Sequence, residues 1–497
     1  MIKKLLNRLM GTSAEKPKFG KRRVAGFKEH AINLDLIDER ARHVVLTLQE
    51  RGFEAYIVGG AVRDLLLGLK PKDFDVATNA TPEEVKSLFR RAFIIGRRFR
   101  IVHVVYGRGR DHEVIEVSTF RAYLESADAE QVSGSEKTSK KALSNVSHAV
   151  DASGRVLRDN VWGPQDEDAA RRDFTVNAMY YNPQSQEVID YHHGIEDAKK
   201  RVLRMIGDPV IRYREDPVRI IRAVRFAAKL SGLGFSIETK TAKPLQKMMS
   251  LLADVPQSRM MDEMLKLLQT GHAIASIEQL KKLSLQKGIY PLLDVVVDRS
   301  TQVFVELALT DTDRRVSENK PVAPSFLLAC VLWLDVRDAW DRHLEHHEPH
   351  PALQEAIDEV FYSRIGDVSG RGKLASDMRE IWLMQPRFEK RVGSGPFTLV
   401  EQARFRAGFD FMRLRAVAGE IPTELADWWE DFSLEDDGAR ADMLDLIKQS
   451  TPKVQRVSKH KTVVQNGTAT SPDDGAPRKR RRRRRKPSAD APPHSEA

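Results

Sequence analysis

The chain has 497 residues, 41% hydrophobic and 31% charged, which is enough for two to four domains with cores of their own. No stretch approaches the ~20 uninterrupted apolar residues that cross a bilayer, and a single cysteine, Cys330, excludes an internal disulfide or a cysteine-built zinc site. The net charge of +10 is concentrated in one place, because the run Arg478–Lys486 (RKRRRRRRK) carries nine positive charges and leaves the remainder near neutral; the complement of such a run is a polyanion.

Residues 1–30 show no periodicity and are expected to be mobile; the apolar run within Met1–Met10 is too short for a signal peptide, so the cytoplasm is the expected compartment. Leu36, Ile37, Val44, Val45 and Leu48 recur at helical spacing, which predicts a helix over Leu34–Arg51 that stops at Gly52. A short apolar strand, Ala55–Val58, runs into Gly59-Gly60 and then a helical segment, Val62–Leu67, ended by Gly68. A second strand, Phe74–Ala77, leads to Thr81-Pro82-Glu83-Glu84, where a capping threonine, a proline at the first helical position and a capping-box glutamate predict a helix over Pro82–Arg90. Ile101–Tyr106 and Glu113–Phe120 read as a hairpin joined through Gly107-Arg108-Gly109. Residues 125–160, rich in Ser, Lys and Asp, read as a long loop beside a working site. From Tyr213 onward the periodic segments are helical: Val218–Leu230, Ser258–Leu268, Ile274–Leu283, Phe326–Trp340, Leu353–Phe361, Leu374–Met384 and Leu399–Gly408. After Ser450 large apolar residues nearly vanish, and 451–497 is expected to be a disordered tail.

Chemistry is concentrated in a few motifs. A strand that stops at Gly59-Gly60 and restarts as a helix brings bare backbone amides close to a ligand, a setting that suits phosphate, with Arg63 placed to add a charged contact. A plain tight turn is the competing reading. In Asp73-Phe74-Asp75-Val76, alternation puts Asp73 and Asp75 on one face and Phe74 and Val76 on the other. Two neighbouring carboxylates are costly unless a cation lies between them, and oxygen ligands without histidine or cysteine suit a hard ion such as Mg²⁺ or Mn²⁺. A solvated strand end is the alternative. A third carboxylate has two candidates: Glu116, within a strand, and Asp173, within Arg171-Arg172-Asp173-Phe174-Thr175-Val176-Asn177-Ala178. There the two arginines either grip phosphate or ribose or form a surface ion pair.

Taken in order, GGAVRDLLLG, KDFDVAT, EVSTFR, RRDFTVNA and REDPVRIIRAVRFA resemble the class II nucleotidyltransferases, which include bacterial poly(A) polymerases and CCA-adding enzymes. The resemblance covers Ala55–Leu268 closely and the helical part to about residue 450 more loosely. It implies an α+β fold: an N-terminal nucleotidyltransferase palm, a mixed sheet with helices, followed by an all-α neck and body and the basic tail. The implied domains are a variable segment 1–30, a catalytic head 31–205, a nucleotide- and RNA-binding neck 206–270, an RNA-binding body 271–450 and the tail 451–497. The resemblance also implies catalytic roles for Asp73, Asp75 and Asp173, with Asp173 ranked above Glu116, and metal binding by Asp73 and Asp75. Nucleotide contacts are implied for Gly59, Gly60, Arg63, Arg172, Asp216 and Arg219, with Arg222 as a further candidate. Physically, Asp216 before Pro217 is also a good helix cap, and that alone accounts for its presence.

Two features favour poly(A) addition over CCA addition. The segment Ile95–Val104, with Arg97, Arg98 and Arg100 around Phe99, resembles the poly(A) polymerases and offers RNA contacts. Arg480, Arg481, Arg482 and Arg483 in the tail offer a sequence-blind grip on RNA through counterion release. The expected activity is therefore template-independent addition of AMP from ATP to RNA 3′ ends (mRNA, regulatory RNA and decay intermediates), with RNA-decay proteins as further partners of the tail. CCA addition is the alternative within the same chemistry, and a non-catalytic RNA-binding adaptor is the alternative outside it.

Overall fold

The computed structural model describes residues 19–96, 100–107, 112–123, 130–131, 148–150, 156–159, 161–365 and 372–450. The strands are β1 (Arg23–Ala25), β2 (Ala55–Val58), β3 (Asp75–Thr78), β4 (Ala92–Ile95), β5 (Ile101–Tyr106), β6 (Glu113–Thr119), β7 (Glu130–Gln131), β8 (His148–Val150), β9 (Val156–Asp159), β10 (Met179–Asn182) and β11 (Glu187–Asp190). Eight of them form one mixed sheet in the order β1-β11-β10-β2-β3-β6-β5-β4. Every pairing in it is antiparallel except β3 with β6.

The two faces of this sheet differ. One carries Ile57, Val76, Val102, Val117, Tyr181 and Val188, buried against Val44, Val45 and Leu48 of the helix Glu39–Glu50, Val62 and Leu65 of Gly60–Leu66, and Val85 of Pro82–Leu88. The other has a smaller apolar cluster of Val58, Ala77, Phe120, Ala169, Tyr180, Ile189 and Tyr191. That second face is only partly covered. On it the registers Val58↔Asp75, Asp75↔Glu116 and His103↔Glu116 line up a polar row.

Local chemistry sets the element ends. Thr81 and Glu84 form the capping box, with the Glu84 amide donating to the Thr81 hydroxyl at 3.3 Å and the Thr81 amide donating to the Glu84 carboxylate at 2.7 Å. Asp38 caps the helix Glu39–Glu50 through the Arg40 and Ala41 amides, and Gly52 and Gly68 close their helices with φ of 84° and 72°.

Among the described residues beyond 208 the regular elements are helices apart from the short strand Ser236–Ile237, which pairs in parallel with Val202–Leu203. A large apolar cluster runs through the helices Arg219–Lys229, Gln257–Leu268, Val303–Ser317, Pro324–His343, Pro349–Val360 and Lys373–Phe388, with Cys330, Trp333 and Trp382 fully buried. A second one gathers Phe388, Phe405, Phe409, Trp429 and Phe432. Among the described residues no helix is long and apolar enough to cross a membrane.

Four expectations change. Residues 23–30 are ordered as β1 and a short helix, Phe27–His30, because Ala25 is fully buried and His30 Nε2 lies 2.9 Å from the Gln186 carbonyl; elements this short show no period. The described parts of 125–160 form a three-stranded sheet, β7-β8-β9, rather than loop. Leu399–Gly408 is not one helix, since Gly395–Val400 and Phe405–Val417 are separated by a turn. Asp216 does not cap the neck helix with its side chain: it ends the preceding helix Pro209–Glu215, the next begins at Arg219, and its carboxylate meets Arg259 Nη2 at 2.8 Å. Strand β4 and the helices Pro291–Arg299, Val303–Ser317, Thr423–Leu434 and Asp437–Ser450 had no counterpart in the sequence reading. The tail 451–497, with Arg480, Arg481, Arg482 and Arg483, lies outside the described residues, as do Arg97 and Arg98.

Candidate active site

The pairing of β2 with β10 sets Val58 opposite Tyr180, and this joins two motifs far apart in sequence. Gly59 follows Val58 with φ 75° and ψ −138°, a conformation that L side chains rarely adopt. A Cβ added to it would lie 3.7 Å from Arg172 Nη1 and 3.9 Å from Asp75 Oδ2. The glycine turn thus sits between a guanidinium and a carboxylate.

Arg63 has a different place from the one expected. It is 1% exposed, donates through Nε and Nη2 to Asp64 at 2.9 and 2.7 Å, and through Nη1 to Asn177 Oδ1 at 2.7 Å. A Cβ added to Gly60 would meet its Nη2 at 3.3 Å, so the guanidinium lies directly behind the turn. A buried arginine engaged in this way braces the loop from within, and its partners in this structure are Asp64 and Asn177.

Asp73 and Asp75 are both exposed, while Phe74 and Val76 are buried in the core between them; β3 itself begins at Asp75. Among the described residues neither carboxylate makes a hydrogen bond or ion pair. Asp75 is reached by solvent, yet protein surrounds enough of it to weaken its hydration. That burial, then Glu116, push its carboxyl up to about 6; Arg172 works in the opposite sense and Asp73 adds to the rise. Glu116, the register partner of Asp75 on β6, is 3.3 Å from His103 Nε2. Neighbouring carboxylates supply oxygen donors of the kind that suits a hard divalent ion.

Asp173 is in the opposite condition. Arg219 Nε donates to its Oδ1 at 3.1 Å, and Arg222 Nε donates to its Oδ2. Burial disfavours its charge, but Arg222, Arg219 and Arg212 outweigh that and hold the carboxyl down at about 2. The charges acting on Asp75 are Glu116, Arg172 and Asp73, so Glu116 and not Asp173 shares the row with Asp75.

The residues around Asp173 are crowded with cations. Arg172 donates to Asp168 Oδ2 from Nη2 at 3.1 Å and lies over the Tyr180 ring, while the Tyr180 hydroxyl donates to the same oxygen at 2.7 Å. Arg212 donates to the Arg171 and Arg172 carbonyls at 2.7 and 2.9 Å, and Arg219 to the Arg212 carbonyl at 2.8 Å. Burial and the guanidinia of Arg121, Arg212 and Arg219 push Arg171 down to about 9.

The helix Arg219–Lys229 organises this side of the site. Ile220, Ile221, Val224, Ala227 and Ala228 are buried, which turns Arg219, Arg222, Arg225 and Lys229 along one stripe. Arg225 lies over the Phe226 ring at 5.0 Å, and its buried Nε has no hydrogen-bond partner among the described residues. Lys229, at the far end, is lowered by burial and by Arg63, with Asp64 and Asp73 opposing. The stripe therefore leads from Asp173 toward Asp73. The sequence reading did not single out Arg225, Lys229, Asp168 or Asn177; spacing beyond Arg222 points to the first two, and nothing local points to the others. Arg100, expected at RNA, pairs with Glu83.

Comparison with known proteins adds the following. The family Poly A polymerase head domain matches residues 55–204, Probable RNA and SrmB-binding site of polymerase A matches 234–296, and Polymerase A arginine-rich C-terminus matches 345–487. Poly(A) polymerase I of Haemophilus influenzae is 38% identical over 427 residues, 84% of this chain and 89% of that protein. A CCA-adding enzyme of Bacillus pumilus is 34% identical over 285 residues, 57% of this chain and 58% of that protein. Among solved structures, the Bacillus stearothermophilus CCA-adding enzyme in complex with CTP is similar at 24% identity with a TM-score of 0.48, covering 79% of this chain and 80% of that one. With 38% identity to the Haemophilus influenzae poly(A) polymerase I over most of both sequences, the chain belongs to the poly(A) polymerase I family and is a nucleotidyltransferase.

Proposed function

We propose that this chain extends RNA 3′ ends with AMP from ATP, using Asp73, Asp75 and Glu116 as the carboxylates for divalent cations. The observation that carries this reading is the pair Asp73 and Asp75, both exposed and free of hydrogen bonds among the described residues, beside the Gly59 turn. Mg²⁺ or Mn²⁺ held there would make the RNA 3′-hydroxyl more acidic and neutralise the triphosphate. Gly59 and Gly60 let the triphosphate approach the backbone without meeting a side chain, and Arg172, Arg225 and Lys229 supply positive charge around it. Arg219 and Arg222, fixed by Asp173, form a rigid wall beside the incoming nucleotide, and Asp216 with Arg259 holds the next helix against that wall. In this reading Asp173 acts by orienting two guanidinia, and Glu116 takes the place of third carboxylate for which Asp173 was ranked first.

In this reading residues 31–205 are the head, 206–270 the neck and 271–450 the body, with the tail gripping RNA electrostatically in the cytoplasm. The coverage of relatives supports ATP over CTP: the Haemophilus influenzae poly(A) polymerase I matches 84% of this chain, against 57% for the CCA-adding enzyme. The test supplies a generic unstructured RNA with each of the four nucleotides separately. ATP should be incorporated preferentially and repeatedly. CTP used as readily as ATP would shift the assignment to CCA addition, and incorporation surviving Asp73→Ala with Asp75→Ala would remove the carboxylates from the mechanism.

A further inference from the structure

Far along the chain from the head, the helices Pro324–His343 and Pro349–Val360 are joined by a short turn rich in histidine. The His347 amide donates to the His343 carbonyl at 3.0 Å, which continues the helical path for one more turn and sets the two imidazoles on one side, 6.2 Å apart and tilted at 55°. Opposite them, Glu355 and Glu359 occupy the same i, i+4 relation on the second helix. His343 Nδ1 lies 3.4 Å and His347 Nε2 3.3 Å from a single oxygen, Glu355 Oε2. One donor atom from each of the three residues falls within 4.8 Å of the others.

Two of those separations match the edge of a tetrahedron whose ligands lie about 2.0–2.1 Å from a central ion, roughly 3.4 Å. The surroundings are also built for it. The remaining nitrogen of His343, Nε2, is 3.1 Å from Glu359 Oε2, and Arg342 Nη2 donates to the other Glu359 oxygen at 2.7 Å. With Nε2–H donating to Glu359, the Nδ1 lone pair of His343 is left facing Glu355. A carboxylate that fixes the tautomer of a histidine ligand is the usual outer partner in protein zinc sites.

We propose that His343, His347 and Glu355 form a binding site for a divalent transition-metal ion, with Zn²⁺ as the fitting ion and Glu359 as the residue that positions His343. Two imidazoles and one carboxylate favour this class of ion over Mg²⁺, which takes oxygen ligands. The site is separate from the carboxylates of the head. Occupied, it staples the turn between two helices of the body and leaves a fourth coordination position open to solvent.

Co²⁺ titration of the full-length, tag-free chain tests this, because tetrahedral Co²⁺ has visible absorption bands that Mg²⁺-type oxygen sites do not produce. One equivalent is expected to bind with such bands, and to do so equally in the Asp73→Asn, Asp75→Asn double variant. The bands should disappear in His347→Ala and in Glu355→Gln, two side chains whose exposure (44% and 46%) makes both substitutions compatible with the fold. Glu359→Gln should weaken the affinity about 10- to 100-fold. AMP incorporation should be unchanged in His347→Ala. Bands that persist in His347→Ala, or no equivalent bound at micromolar metal, would overturn the site and leave only exposed histidine–carboxylate ion pairs.

Discussion

Asp75 and Asp173 are aspartates in one neighbourhood with opposite surroundings. Asp75 faces Glu116 and Asp73 and has no hydrogen bond among the described residues, whereas Asp173 is held by Arg219 and Arg222. One carboxyl is pushed up to about 6 and the other held down at about 2. The lesson is that a site's carboxylates divide by what they lack. Under the proposed function, the one short of positive charge is the candidate for a cation, and the one already satisfied is the candidate scaffold for the guanidinia around it.

The sharpest way to break this contrast is to replace each acid by its amide. Asp75→Asn should reduce AMP incorporation about a thousand-fold, since several kcal/mol of charge stabilisation is at stake, while the melting temperature holds or rises because a repulsion is relieved. Steady-state incorporation and thermal unfolding of the same preparation check both halves. Asp173→Asn should do the reverse in stability: removing one partner of a largely buried ion pair costs about 3 kcal/mol, read as a lower denaturation midpoint, with a raised KM for ATP. If Asp173→Asn instead raised only the Mg²⁺ requirement, it would belong with the metal ligands and the contrast would fail.

A smaller effect separates Glu116 from Asp173. Glu116→Gln should raise the Mg²⁺ concentration giving half-maximal activity about 10- to 100-fold and leave the KM for ATP at saturating metal unchanged.

The smallest effect is in pH. The folded value of Asp75 lies above the unfolded value near 3.9, so the folded chain binds the extra proton and this group's contribution to stability rises as pH falls from about 6 toward 4. Asp173 has the opposite sign: its contribution is complete above about 4 and is lost as pH falls toward 2. Because a proton competes with the cation at Asp75, apparent Mg²⁺ affinity should weaken by up to about tenfold per unit below pH 6. An affinity flat from pH 7 to 5 would remove Asp75 from the ligand set.

Legibility in the sequence followed the range of the interactions. Ala55–Val58, bounded by Gly59, and the helix after Thr81 were readable because both signals are local. β4 was not, because its four residues alternate weakly and its place depends on pairing with β5. The alternation that exposes Asp73 and Asp75 and buries Phe74 and Val76 was legible from their spacing. The burial of Arg63 was not legible, because one of its partners, Asn177, lies 114 positions away. Asp216 looked like a helix cap because Pro217 follows it, but the helix starts two residues beyond Pro217 and Arg259 takes the carboxylate.

The parallel pairing of β3 with β6 bears on how the site comes into being. A parallel neighbour cannot be reached by a tight turn, so the chain must first lay down the helix Pro82–Leu88, β4 and β5 before Glu116 meets Asp75. The acidic row is therefore a late product of folding, dependent on contacts distant in sequence and correspondingly slow to close. During synthesis a chain released only as far as Thr78 holds both aspartates but lacks β6, so Glu116 joins Asp75 only when the central sheet is complete.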